Sequence, residues 1–463
     1  CKGLINDCWH QLLSSLSFLL QFAMDDWCLN QSLRCLQTLI YCCSRLDIDA
    51  AKEACMQQLS KYTLPSPGQE AEGDAARHGG GAGGSGVGNL TTKNLLCCKA
   101  LLDFCHWFGG LLGAGGWTVA LRALTTIDKM LQRDEPNQGA ESMSLRTCMD
   151  SLFETSALLT TEAVMDIIQA MKENMRAISD PNEASVLLGR LTELCSYNLP
   201  RLLMIWQGVL DLVSDSCAAD DRGDRGALRG IAASSLCRIL GEALKKGALA
   251  MEKDQEAAQE QLLSHLSALL RVPHEDVRAR VCEGLLGILH ASGQELRPTA
   301  WATMILLVAE AARIELERTG LEFVHPKTAQ ALSGAAPNGA ASSTEGEARM
   351  SPTRSTPIPG LPSTDGRDTS QVIPTVFQLL ELLVQDFMEY VPAKSVTHVT
   401  ASIGAFARYN GLGVNSSLTA VGFLWNVADA LARYHCPAGA GAEAQASGCS
   451  EEEFEELWVQ IFV

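Results

Sequence analysis

Aromatic residues make up only 6% of the 463-residue chain, no two cysteines stand in a C-x-x-C spacing, and basic residues are outnumbered, 36 Lys and Arg against 54 Asp and Glu. Each shortage excludes something. Few aromatics among abundant Leu and Ala favour helix over strand. Without C-x-x-C, zinc-ribbon and thioredoxin-like chemistry lack their ligand and nucleophile geometry. A net charge of −18 opposes the phosphate contacts that dominate nucleic-acid affinity, so no nucleic-acid partner is expected. The longest apolar runs, at 12–24 and 301–312, are too short to cross a membrane. No polybasic patch accompanies an amphipathic helix, so any membrane association is expected to be peripheral and indirect.

Catalytic signatures are missing as well. The stretch GAGGSG, Gly81 to Gly86, fits the dinucleotide fingerprint by letter, but it sits in a Gly/Ala run with neither the strand before it nor the helix after it that phosphate binding requires. No phosphate loop, H-E-x-x-H or G-x-S-x-G motif occurs. The nine histidines are scattered singly. His106 and His290 are read as caps of helix C-termini, since neither has a second ligand at i+3 or i+4. No catalytic, cofactor-binding or metal-binding residue is assigned, no cofactor is expected, and the chain is read as non-enzymatic. Its seventeen cysteines fall mostly in apolar runs such as Cys42-Cys43 and Cys97-Cys98 and are read as small buried hydrophobes in a reducing compartment.

What is present is helical periodicity. Apolar residues recur at three- and four-residue spacing with no sustained alternation, predicting an all-α chain with helices at 5–24, 28–44, 47–61, 92–108, 116–132, 143–156, 160–178, 182–196, 200–214, 226–246, 255–271, 274–290, 298–318, 372–389, 393–408, 415–434 and 451–462. These organise as helical repeats at 1–64, a flexible Gly-rich linker at 65–91, HEAT-like repeats at 92–323, a disordered Ala/Gly/Ser/Pro-rich linker at 324–371, further HEAT-like repeats at 372–436, a linker at 437–450 and the start of another helix at 451–463. Ser351-Pro352 and Thr356-Pro357 in the second linker are proline-directed phosphorylation patterns.

Two signals favour a solenoid of HEAT/armadillo-like repeats. VPHEDVRARVCEGLLGILHASG, Val272 to Gly293, has a proline turn, Asp276 at the helix start and Arg278 placed to bond back to the preceding turn or to the neighbouring repeat; DRGALRGIAASSLCRIL, Asp224 to Leu240, echoes it. His106, Leu112 and Trp117 recur at identical spacing as His290, Leu296 and Trp301, as equivalent plugs in stacked hairpins would. In SLTAVGFLWNVADALARY the stripe Leu418, Val421, Trp425, Ala428 and Leu431 is expected to pack on a neighbouring helix. Gly422 would permit close backbone approach, Asn426 would bond a neighbouring element, and Asp429 would pair with Arg433; Trp425→Ala and Gly422→Leu would then both cost stability.

LTAVGFLWNVADAL and TKNLLCCKALLDFCHWFGGLLGAGGWTVALRAL resemble the Mon-two family, large scaffolds related to the guanine-nucleotide exchange factors for Arf GTPases, with supporting matches at Leu152 to Met171, Met204 to Val213 and the closing ELWVQIF. The resemblance implies a non-catalytic adaptor, peripheral on trans-Golgi network and endosome membranes. It would act in retrieval transport through Dopey-type proteins, a phospholipid flippase complex and Arf-like GTPases. Two rivals keep the helical architecture: the regulatory tail of a catalytic Arf exchange factor, and a HEAT-repeat nuclear transport receptor. The closing amphipathic stretch reads as a helix cut partway, as in an internal fragment, and oligomeric state is not legible.

Overall fold

The computed structural model describes residues 1–23, 25–64, 91–133, 140–178, 180–218, 225–249, 254–321, 370–409 and 411–435, with 455, 458 and 459. The expected linkers at 65–91, 324–371 and 437–450 lie essentially outside these, as do Ser351, Thr356 and most of the expected helix at 451–462. Every regular element among the described residues is helical. The helices are α1 (Lys2–Phe22), α2 (Asp26–Arg45), α3 (Asp49–Thr63), α4 (Thr92–Phe108), α5 (Gly113–Arg133), α6 (Ala140–Thr155), α7 (Thr161–Ala177), α8 (Pro181–Tyr197), α9 (Leu202–Cys217), α10 (Arg225–Ala243), α11 (Gln255–Ser264), α12 (Leu266–Leu270), α13 (Glu275–Ser292), α14 (Pro298–Arg318), α15 (Val372–Asp386), α16 (Ala393–Arg408) and α17 (Val414–Ala430). Short 3-10 turns at Gly109–Leu111, Ser156–Leu158, Leu199–Arg201 and Gly293–Glu295 join several of them. None of the described helices is long and apolar enough to cross a membrane.

Helix starts follow local chemistry. Thr91 and Asn94 form a reciprocal capping box at α4, Thr160 accepts from Ala163 N at α7, Asp254 accepts from Ala257 N at α11, and Asp180 caps α8 with Pro181 in the first turn. The expected helix at 255–271 is broken at His265. There the imidazole Nδ1 lies 2.6 Å from Gln261 O, the carbonyl that a continuing helix would give to the backbone, and 3.3 Å from Trp206 Nε1 of α9.

The chain divides into two compact units, 1–295 and 296–463. In the first, helices alternate between two layers. α1, α3, α5, α7 and α9 pack in succession in one layer, α2, α4, α6, α8, α10 and α13 in the other, and each helix also packs on its hairpin partner. The second unit repeats the scheme, with α14 against α16 and α15 against α17. This is an α-solenoid of helical hairpins, as the paired periodicity predicts: a hairpin has one apolar side too many to bury alone and covers it with the next.

The repeat signals find physical counterparts. Arg278 is buried and its Nη1 donates back to Val272 O and Pro273 O at 2.9 and 2.8 Å. Asp276 reaches the neighbouring repeat, accepting from Arg229 Nε of the echo segment at 3.2 Å. Leu112 and Trp117 are buried in the first unit, Leu296 and Trp301 in the second, each pair spanning the start of a helix that follows a 3-10 turn. Trp117 Nε1 donates to Gly109 O at 3.0 Å, whereas Trp301 stacks on Tyr390 and meets Phe387 at a tilt. Small residues let same-layer helices approach closely: a Cβ on Gly208 would sit 3.1 Å from Ile168 Cγ2, and one on Gly284 only 2.3 Å from Cys237 Sγ.

Candidate docking surface

Buried charge in the first unit serves to hold layers together. Arg190 of α8 donates from Nε and Nη2 to Asp128 of α5 at 3.0 and 2.8 Å, and from Nη1 to Asp150 of α6 at 2.6 Å and to Glu193 at 2.7 Å, with its guanidinium over the Phe153 ring. Burial alone would lower the arginine pKa, but the Asp128 charge and the bonds to Asp150 and Glu193 outweigh it and raise it. Arg201 ties Asn198 to the carbonyls of Ser156 and Leu159, and Lys172 bridges α7 to Asp211 and Asp215 of α9. Each cation has its anions or carbonyls at hand. Among the described residues no group of three His, Cys, Asp or Glu is arranged to hold a metal. Arg190 and Asp128 show in the sequence only as a charge of each sign inside otherwise apolar helical runs.

The two singled-out histidines stay apart and neither makes the expected carbonyl cap. His106 Nδ1 lies 3.3 Å from Thr155 Oγ1 of α6, a side-chain tie between neighbouring helices, and His290 is exposed in the last turn of α13. Proximity to a helix end does not make a cap when a hydroxyl next door competes for the ring.

Nine of the fifteen described cysteines are buried, as expected of small hydrophobes. Burial pushes the thiols of Cys97, Cys98, Cys105 and Cys195 up to about 12. An unfolded thiol ionises near about 8.5. The folded state therefore holds protons that the unfolded state releases, so this contribution is complete below about pH 8.5 and is lost as pH rises toward 12. Melting temperature should fall by a few degrees between pH 7.5 and 10, and less steeply in the Cys98→Ala, Cys105→Ala variant; parallel declines would remove the thiols as the cause.

The feature that departs from core packing is on α17. Val414, Leu418, Val421 and Trp425 fall, at roughly 100° per residue, within about 60° of one another on the helix. Leu418 is 64%, Val421 46% and Trp425 70% exposed. The helix instead buries Ala420, Phe423, Val427 and Ala428, continued by Leu431, with Phe423 against Phe377 of α15. Thus Ala428 and Leu431 of the expected stripe are core, whereas Leu418, Val421 and Trp425 point outward. Among the described residues no neighbour lies within 4 Å of a Cβ built on Gly422, so the glycine marks no close approach, and Asn426 is exposed. Asp429 and Arg433 do pair, at 2.6 Å, an exposed i,i+4 contact. A helix with one apolar face in the core and a second facing outward has the form of a docking element.

No family model matches the chain. Similarity to curated proteins is extensive. Protein MON2 homolog of Homo sapiens is 22% identical over 492 residues, covering 92% of this chain and 25% of that protein, and its Xenopus laevis counterpart is 22% identical over the same shares. Protein MON2 homolog of Drosophila melanogaster is 25% identical over 366 residues, 73% of this chain and 18% of the relative. The chain spans about a quarter of the length of the first two relatives. Similarity runs through nine-tenths of this chain onto proteins of one name, so along most of its length the chain, with its stacked helical hairpins, is similar to the Mon2 family.

Proposed function

We propose that the chain is a non-catalytic scaffold in vesicle-mediated protein transport between endosomes and the trans-Golgi network. It is recruited peripherally to those membranes and acts through Dopey-type proteins, with a phospholipid flippase complex and Arf-like GTPases as further partners. The observation that carries the reading is the outward stripe Val414, Leu418, Val421 and Trp425 on a helix whose other face is locked into the repeat. Large apolar side chains held rigid and wet lose little conformational freedom on association, which is what a protein-binding surface needs. Similarity to the Mon2 family supplies the transport context.

The stripe gives the test its selectivity. Gly422→Leu and Trp425→Ala should leave the unfolding free energy within about 0.5 kcal/mol of the parent, because neither position touches the core. Co-purification of a tagged Dopey homologue should fall severalfold with Trp425→Glu. Undiminished recovery would separate the stripe from partner binding, and a loss of thermal stability in Trp425→Ala would return the residue to the core. An exchange-factor tail would accelerate nucleotide release from an Arf GTPase when joined to its exchange domain, and a transport receptor would capture Ran-GTP; the scaffold reading expects neither.

A further inference from the structure

A second apolar feature lies in the first unit, where the helices α4, α6 and α8 stand side by side. Each ends on an exposed large apolar residue: Trp107 is 74% exposed, Leu158, in the 3-10 turn after α6, is 87% exposed, and Tyr197 is 44% exposed. Bonds between the three helix ends keep them adjacent. His106 meets Thr155 at 3.3 Å, Asn198 Nδ2 donates to Ser156 Oγ at 2.8 Å, and Arg201 Nη2 donates to Ser156 O at 2.8 Å. One turn before each apolar residue stands a carboxylate, Asp103, Glu154 and Glu193. The first two are exposed, and the third is partly exposed and shared with Arg190. An apolar row and an acidic row therefore run in parallel across three successive repeats.

We propose that this edge is a binding surface for a basic amphipathic helix of a partner protein, laid across the ends of α4, α6 and α8. Neighbouring helices pack at about 8–10 Å, and positions seven apart on an α-helix rise about 10.5 Å, so one apolar side chain per two turns of the partner meets Trp107, Leu158 and Tyr197 in turn. Lys or Arg on the flank of that helix faces the acidic row. The exposed apolar area, on the order of a few hundred Å², is too small for the ~800 Å² per subunit of a stable dimer but fits one helix. The proposal does not rest on the transport role.

The test uses two synthetic 18-residue helices with identical Leu faces, one flanked by Lys and one by Glu, titrated by fluorescence anisotropy against the full chain. The Lys-flanked helix is expected to bind, more weakly as salt is raised, and the Glu-flanked helix to bind at least tenfold more weakly. Trp107→Ser with Leu158→Ser should cut affinity at least tenfold with the melting temperature unchanged, and Asp103→Lys with Glu154→Lys should reverse the preference between the two helices. Absence of binding, equal binding of both helices, or indifference to these substitutions would overturn the proposal. Capture of phosphatidylcholine–phosphatidylserine vesicles through Trp107 and Leu158 would overturn it in favour of a membrane surface.

Discussion

Gly284→Leu is expected to unfold the first unit or to lower its stability by roughly 3 kcal/mol or more, the upper end of overpacking penalties. The reason is local and geometric. A Cβ at this position would lie 2.3 Å from Cys237 Sγ and 2.4 Å from Cys237 Cβ, where α13 crosses α10 within one layer. Rotation can move the Sγ, but the Cβ is fixed to the backbone, so the helices themselves must separate. Gly284→Ala already demands such a shift, and the gain of about 1 kcal/mol in helix propensity offsets only part of it. Thermal denaturation reads the effect, and a double-mutant cycle assigns it: in a Cys237→Gly background, where the nearest remaining atom of residue 237 is Cα at 3.8 Å, Gly284→Ala should be tolerated. A coupling under about 0.5 kcal/mol would show that the clash is not the cause.

The second large effect is expected from Arg190→Ala. Removing the guanidinium leaves Asp128 buried without its countercharge, and breaking one partner of such a pair typically costs about 3–5 kcal/mol. Loss of packing over Phe153 adds to it. The ion pair itself is worth much less than that, because two charges had to be desolvated to form it. Asp128→Ala should therefore do little further harm, or even restore stability, in the Arg190→Ala background. Urea denaturation at neutral pH measures both. If Arg190→Ala costs less than about 1 kcal/mol, Asp128 has found water and the site is not buried in solution.

Both residues bear on what could be read in advance. Gly284 and Gly422 are mid-helix glycines in apolar runs, and nothing in the run distinguishes them. Spacing points to Gly422, which faces open space; the close approach belongs to Gly284 because of where Cys237 lies, 47 residues earlier in the chain. Size and spacing alone point Trp425 into the core. Yet α17 offers two apolar faces, one led by Leu418 and Trp425 and one by Phe423 and Val427, and periodicity scores them alike. The edge row of Trp107, Leu158 and Tyr197 was missed altogether. Its one sequence signal is a carboxylate four residues before a large apolar residue at a helix end, three times over.

By itself, then, the sequence determined the helices and their pairing, because hydrogen bonding within a helix and the 3.6-residue period are settled among residues a few positions apart. It also carried the repeat, through Arg278 and the Leu112–Trp117 and Leu296–Trp301 pairs, because stacked hairpins must fill equivalent gaps with equivalent side chains. Only the tertiary structure decided which apolar face of a helix is covered, which glycine is crowded and which charges are buried together. Burial is a property of neighbours brought from far along the chain, and local pattern contains no record of them.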